Sequence, residues 1–209
     1  MSFRPRQVPH VEGNFSTLIF VDLLPANRDA LEKFLGFCIQ ELERHGQRFG
    51  KSLSLAELVP PHLSLSRNVY LKPHLIEPFL AAMHAAVSSI TATSLFLWDR
   101  LHFYLNESGD SCFAAIPVDL SLSPHILDII RRVDLVMGEF DLPLFYKNPS
   151  PHVSLVCGVG REGERFASSM QTEGPRLPLA EPQDLDELRV DVSEVRVRIG
   201  KEVDRIFLS

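Results

Sequence analysis

Apolar positions along the chain recur with two different periods. From Asn27 to Arg48, Leu31, Phe34, Leu35, Cys38 and Leu42 share one face of a helix with Glu and Arg opposite, and Asn27 after Pro25 is placed to cap it. Pro73 to Ile90 repeats the pattern with Ile76, Phe79, Leu80, Met83, Val87 and Ile90, and Pro73 suits a first helical turn. Ser123 to Phe140 does so again with Ile126, Ile129, Ile130, Val133 and Met137, with Ser123 expected as the cap ahead of Pro124. Short β-branched or aromatic-rich runs predict strands over Thr17–Leu23, His62–Tyr70, Arg100–Asn106, Cys112–Val118, His152–Val159, Val190–Ile199 and Arg205–Leu208. Asn106 to Asp110 reads as a hairpin loop, and the Gly-, Pro- and charge-rich stretch Gly163 to Pro182 as a longer loop. Within Val190–Ile199 the apolar parity switches between Val192 and Val195, which predicts a bulge or bend near Ser193. Three amphipathic helices need a sheet to cover, and the hairpin signals favour an α+β fold with largely antiparallel sheets over a doubly wound parallel sheet.

Composition narrows this further. With 209 residues, 45% of them hydrophobic and 23% charged, residues 1–209 are expected to form one domain, at most two small fused lobes. No apolar run approaches the roughly 18 residues of a membrane span, so a soluble protein is expected. A net charge of −6 provides no basic stripe to wrap a nucleic-acid duplex, and any nucleic-acid contact must be short and local. Cys38, Cys112 and Cys157 lie in apolar runs without metal-ligand spacing, which predicts reduced, buried thiols and an intracellular protein. Met1 to Val11 has no apolar segment of the kind a secretory signal needs.

The chemistry is concentrated in a repeat. Pro61-His62-Leu63-Ser64-Leu65 returns 90 residues later as Pro151-His152-Val153-Ser154-Leu155 with one letter changed, each copy opening an apolar strand. This points to internal duplication. Side chains alternate along a strand, so each histidine shares a face with its serine while the apolar pair anchors the other side. Two strands related by a pseudo-twofold would then turn two imidazoles and two hydroxyls into one cleft. Imidazoles that titrate near neutrality can act as base and acid in one step, and hydroxyls can donate to a phosphate oxygen. A single His-x-Ser at a strand edge is more often a solvent-facing histidine; the second copy reverses that weighting. A zinc site would need three or four ligands, and neither copy brings them. His102 reads as a strand-face residue, and His10, His45, His74, His84 and His125 as loop or helix-surface residues. Arg196 and Arg198 alternate with Val195, Val197 and Ile199, which points them away from the core towards solvent.

The paired motifs resemble the signature of the 2H phosphoesterase superfamily. The flanks, His62 to Ser66, Pro9-His10 to Gly13-Asn14-Phe15, and Phe145-Tyr146 ahead of the second motif, are similar to the branch whose members trim the 3′ end of U6 small nuclear RNA. The resemblance runs from about Pro9 to the C-terminus. It implies a LigT-like fold of two pseudo-symmetric α+β lobes around a central groove, each supplying one motif. It also implies His62 and His152 as the catalytic pair, Ser64 and Ser154 as phosphate-binding serines, and Tyr146 as an aromatic that stacks on a base. On pattern alone Tyr146 would be a core aromatic beside Leu144 and Phe145. Asn106 and Glu107 match the family's substrate-facing hairpin loop, and Pro149 and Ser150, which lead into the second motif, are assigned to substrate binding with them. Pro151 departs from relatives that carry an aromatic or other side chain there.

The activity so implied is a metal-independent, cofactor-free 3′ to 5′ RNA exonuclease acting on a single-stranded oligoU end of U6 snRNA in the nucleus, as a monomer away from membranes. The ribose 2′-OH would attack the adjacent phosphorus and leave a 2′,3′-cyclic phosphate, which some relatives open to a 3′-phosphate. By family convention His62 is the base and His152 the acid. The alternatives are a 2′,3′-cyclic or 2′,5′-oligonucleotide phosphodiesterase of the same superfamily, and a binding module that holds an RNA 3′ end without turnover.

Overall fold

The computed structural model describes residues 13–23, 36, 56–57, 62–98, 102–105, 111–159 and 189–209. The expected helix over Asn27–Arg48 apart from Gly36, which is helical, the loop bearing Asn106 and Glu107, the Gly163–Pro182 loop, Cys38, and the side chains of Cys112 and Cys157 lie outside the described residues.

Most strands join one antiparallel sheet. Its strands are β1 (Phe15–Asp22), β2 (Ala56–Glu57), β3 (His62–Ser64), β4 (Val69–Leu71), β6 (His102–Leu105), β7 (Ser111–Pro117), β8 (His152–Val159), β10 (Glu194–Ile199) and β11 (Glu202–Phe207). They run in the order β11-β10-β1-β3-β8-β7-β6, with β4 also on β1 and β2 also on β8. The remaining pair, β5 (Thr93–Phe96) and β9 (Arg189–Val192), forms a separate two-stranded sheet. Two helices, α1 (Ile76–Val87) and α2 (His125–Glu139), are described, and none of the described helices is long and apolar enough to cross a membrane.

Periodicity places the core. Ile19, Val21, Leu63, Ile116, Val153, Val195 and Val197, one strand parity throughout, join Phe79 and Met83 of α1 and Ile129, Ile130 and Val133 of α2 in one buried cluster. The other parity is left to build the site.

Differences from the sequence expectation have local causes. The single strand expected over His62–Tyr70 is two, because the buried Ser66 hydroxyl replaces a strand carbonyl: its Oγ accepts from Ile19 N at 3.0 Å and donates to Arg67 O at 2.9 Å. The chain leaves β1 there and rejoins it at Val69 opposite Thr17. Pro73–Leu75 forms a 3-10 turn that leads into α1. Ser123 does not cap α2; its hydroxyl accepts from Phe96 N at 2.7 Å, and Pro124 takes the cap position with no side-chain cap. The break expected near Ser193 is present, and it hands the chain from one sheet to the other. β5 had no counterpart in the expected strands; its side chains pair with β9, a partner far away in sequence.

Ile116 is fully buried in β7, whereas Leu135 on α2 is 69% exposed. Ile116→Ala should therefore cost about 2–5 kcal/mol of unfolding free energy, and Leu135→Ala should stay within about 0.5 kcal/mol of wild type, as read by urea denaturation.

Candidate active site

The two motif strands are neighbours. β3 and β8 pair antiparallel with Leu63 opposite Val153, and both of these side chains are buried. Directly opposite residues share a face and adjacent ones alternate. Stepping one residue either way puts Ser64 across from His152 and Ser154 across from His62, all four on the face opposite the core. The local twofold inferred from the repeat thus passes between Leu63 and Val153. All four side chains are partly exposed, and the residues between and after them in each motif, Leu63 and Leu65, Val153 and Leu155, are buried.

The surroundings break this symmetry. On the β1 side, Asp22 stands opposite His62 and Phe20 opposite Ser64. On the β7 side, Pro117 stands opposite His152 and Ala115 opposite Ser154. Phe20 meets the His62 ring edge-on with centroids 5.4 Å apart.

Asp22 belongs to a chain of charges along the same face. Arg196 Nη1 donates to Asp22 Oδ2, and Arg196 Nε donates to Glu194 Oε1 at 2.6 Å. Arg205 donates to Glu194 Oε2 from Nε at 2.9 Å and from Nη2 at 2.5 Å. Burial alone would raise the Glu194 carboxyl, but the hydrogen bonds and charges of the two arginines outweigh it and hold its pKa below the usual range. Arg196 is therefore not the solvent-facing residue its alternation suggested: its side chain is only 20% exposed and is held between two carboxylates. Arg198 lies with its guanidinium 5.5 Å from the Phe20 ring centroid.

His152 is more tightly held. Its Nδ1 is 2.7 Å from the Ser150 carbonyl oxygen, which can only accept, so Nδ1 carries the hydrogen and Nε2 is the nitrogen left to work. Tyr104 from β6 stacks on the imidazole, centroids 4.1 Å apart and planes 16° from parallel, and its phenol oxygen is 3.1 Å from Ser150 Oγ. Burial lowers the His152 pKa, the Ser150 hydrogen bond partly opposes this, and charge on His102 adds to the lowering. Burial also raises the Tyr104 pKa, against the Ser150 hydrogen bond, so the phenol is neutral.

The other expected site residues distribute as follows. Tyr146 is 40% exposed, so it is not a core aromatic; Phe145 is the partly buried member of that pair, its backbone N donating to Asp134 Oδ1 at 2.7 Å. Arg67 lies over the Tyr146 ring at 4.4 Å. Ser150 is tied to His152 and Tyr104 as above, and Pro149 precedes it in the same unpaired stretch before β8. Asn106 and Glu107 are outside the described residues. His74, His84 and His125 are exposed as expected, with His84 Nε2 2.6 Å from Asp204 Oδ2. Sequence reasoning missed Tyr104, Asp22 and Glu194. Only alternation with the histidine face could have flagged them, once the neighbouring strands and their register were known. No group of three or more His, Cys, Asp or Glu side chains able to hold a metal occurs among the described residues.

An antiparallel sheet with helices packed on one face and the two His-x-Ser strands paired at its centre is the LigT-like fold that the resemblance to the 2H phosphoesterases implied. Solved structures share this fold: Usb1 of Kluyveromyces marxianus superposes with a TM-score of 0.68 at 14% identity over 92% of this chain and 98% of that one. Escherichia coli LigT complexed with 3′-AMP does so with a TM-score of 0.55 at 10% identity over 94% and 96%. Residues 2–207 match the model of the HVSL family, described as an uncharacterised conserved protein, and the chain belongs to that family. It is 33% identical to the U6 snRNA phosphodiesterase 1 of Drosophila melanogaster over 95% of this chain and 72% of that protein. With the human U6 snRNA phosphodiesterase 1 it shares 32% identity over 95% and 71%. The bovine (Bos taurus) protein of that name is 36% identical over 83% of this chain, and the match spans 60% of its length.

The two depressed pKa values make different demands on acidification. His152 takes up its proton less readily folded than unfolded, so its contribution to stability is whole above the ordinary value of 6.5 and is lost as pH falls towards the lower folded value. For Glu194 the loss begins only below the ordinary 4.5. Melting temperatures measured from pH 7 to pH 5 should fall for wild type and fall less for His152→Gln. Glu194→Gln should keep the wild-type slope but start from a lower melting temperature at pH 7, its unfolding free energy reduced by about 2–3 kcal/mol, a figure discounted because Arg205 is half exposed.

Proposed function

We propose that this chain processes the 3′ end of U6 snRNA, trimming its single-stranded oligoU tail from 3′ to 5′ by transesterification. The observation that carries this reading is the register that sets each histidine across from the other motif's serine. That arrangement fits one phosphate between two imidazoles and two hydroxyl donors, the requirement of an in-line displacement run by a base and an acid. The relatives named U6 snRNA phosphodiesterase 1 support the substrate, and a nuclear location goes with it. A further K. marxianus Usb1 structure, which contains uridine monophosphate, supports a uridine end.

The state of His152 favours an assignment of roles opposite to the family convention. A desolvated imidazole with Nδ1 tied to a carbonyl rests neutral and presents a lone pair on Nε2, which suits the base. In this scheme His152 Nε2 takes the proton of the penultimate ribose 2′-OH and that oxygen attacks the adjacent phosphorus. The phosphorus–O5′ bond breaks as His62 delivers its proton to the leaving oxygen, and the shortened RNA ends in a 2′,3′-cyclic phosphate. Ser64 and Ser154 donate hydrogen bonds to the nonbridging oxygens, and Tyr146 offers its exposed ring to a base.

A 5′-labelled oligoU should be shortened stepwise in the presence of EDTA, and an RNA with a 2′-deoxy penultimate residue should bind but stay intact. Cleavage of the deoxy substrate would exclude attack by the 2′-OH. Preference for a 2′,3′-cyclic mononucleotide or a 2′,5′-linked oligomer would assign one of the sister activities, and binding without cleavage would make the chain a binding module. His62→Ala and His152→Ala should each lower kcat by about 10²- to 10⁴-fold. Ser64→Ala and Ser154→Ala should each cost less, about 10- to 10³-fold.

A further inference from the structure

The support of His152 goes beyond the motif that contains it. The ring is gripped on one face by Tyr104 and on its Nδ1 edge by the Ser150 carbonyl, and these two grips are themselves joined through the Tyr104 phenol and the Ser150 hydroxyl. His102 in turn meets the Tyr104 ring edge-on, centroids 4.7 Å apart. The aromatic neighbour of His62, Phe20, meets its ring edge-on instead of stacking.

We infer that Tyr104 is a positioning residue for His152, fixing the plane of its ring and, through Ser150, the tautomer that leaves Nε2 to act. The inference rests on the reading of His152 as a working group in the site. A ring stacked at 4.1 Å cannot rotate about its Cβ–Cγ bond without losing that contact, and rotation would also break the bond from Nδ1 to Ser150. The same ring keeps water from one face of the imidazole. The phenol never reaches the phosphate in this role; its hydroxyl is spent on Ser150. Among the described residues, the titratable or polar groups facing His152 besides Tyr104 are His102 on β6, Ser64 and His62 on β3, and Ser150 on its own approach.

Histidine side-chain NMR on the full-length protein, with no substrate added, tests the clamp directly. In wild type His152 should carry its hydrogen on Nδ1 and titrate below an ordinary histidine. In Tyr104→Leu the two tautomers should mix and the midpoint should rise towards the ordinary value, because water regains the open face. Tyr104→Phe keeps the ring and should keep the midpoint. On oligoU, Tyr104→Leu should lower kcat by about 10- to 100-fold, the scale expected when a reacting group is misplaced, with KM nearly unchanged. The acid limb of its rate profile should move to higher pH, since a base with a raised pKa is lost sooner on acidification. Tyr104→Phe and Ser150→Ala delete the same hydrogen bond, so the double variant should be no slower than the slower single one. A His152 tautomer and midpoint unchanged in Tyr104→Leu would overturn the inference, as would a loss confined to KM. If Tyr104→Leu does not fold, additive losses in the milder pair would overturn the hydroxyl's part. If the NMR changes appear while His152→Ala remains active, the clamp stands and the catalytic reading of His152 fails.

Discussion

The rest of the structure depends on the pairing of Leu63 with Val153. These two buried residues lock β3 to β8 in a single register. A slip of one residue would turn the histidine and serine of the slipping strand into the core and bring its two apolar side chains to the surface, so hydrophobic burial itself selects the arrangement. The polar face is thus held in place by the face that has no chemistry. Ile19, Val21 and Ile116 extend the same apolar layer across β1 and β7, and α1 and α2 close it.

A duplicated motif would by itself give a symmetric site, whereas the two transferable protons of a phosphodiester displacement need unlike partners. The flanking strands supply the difference. β1 and β10 bring a carboxylate and its arginine-bound chain to His62, while β7 brings a proline and β6 a stacked phenol to His152. Buried ion pairs such as Glu194 with Arg196 rarely stabilise a fold as well as apolar packing would. Their value here lies in fixing where Asp22 stands beside the histidine. Burial and stacking on one side and a nearby carboxylate on the other give two chemically identical groups unlike surroundings.

The chain is acidic overall, with a net charge of −6, yet the proposed ligand is a polyanion. Recognition of a single 3′-terminal phosphate by hydroxyls and imidazoles does not need the extended basic surface that duplex binding does. In the proposed complex an exposed Tyr146 with Arg67 over its ring would add the sequence-tolerant kind of contact that single strands accept.

Much of this could be read from the sequence. The helices over 76–87 and 125–139 and the strand His152–Val159 follow from period and turn residues, and even the bend at Ser193 shows as a change of parity. The two His-x-Ser copies name four site residues because a strand's alternation is local and needs no knowledge of its neighbours. What alternation leaves open is which strand lies beside which, and with what offset. Ser66 breaking the first motif strand, Asp22 facing His62, Arg196 held between carboxylates and Tyr104 stacked on His152 were all decided by register, including the shift between Ala114 and Ala115 in β7. Register is fixed by long-range packing. The sequence therefore determined which groups could do the chemistry, and only the tertiary structure decided how the two histidines come to differ.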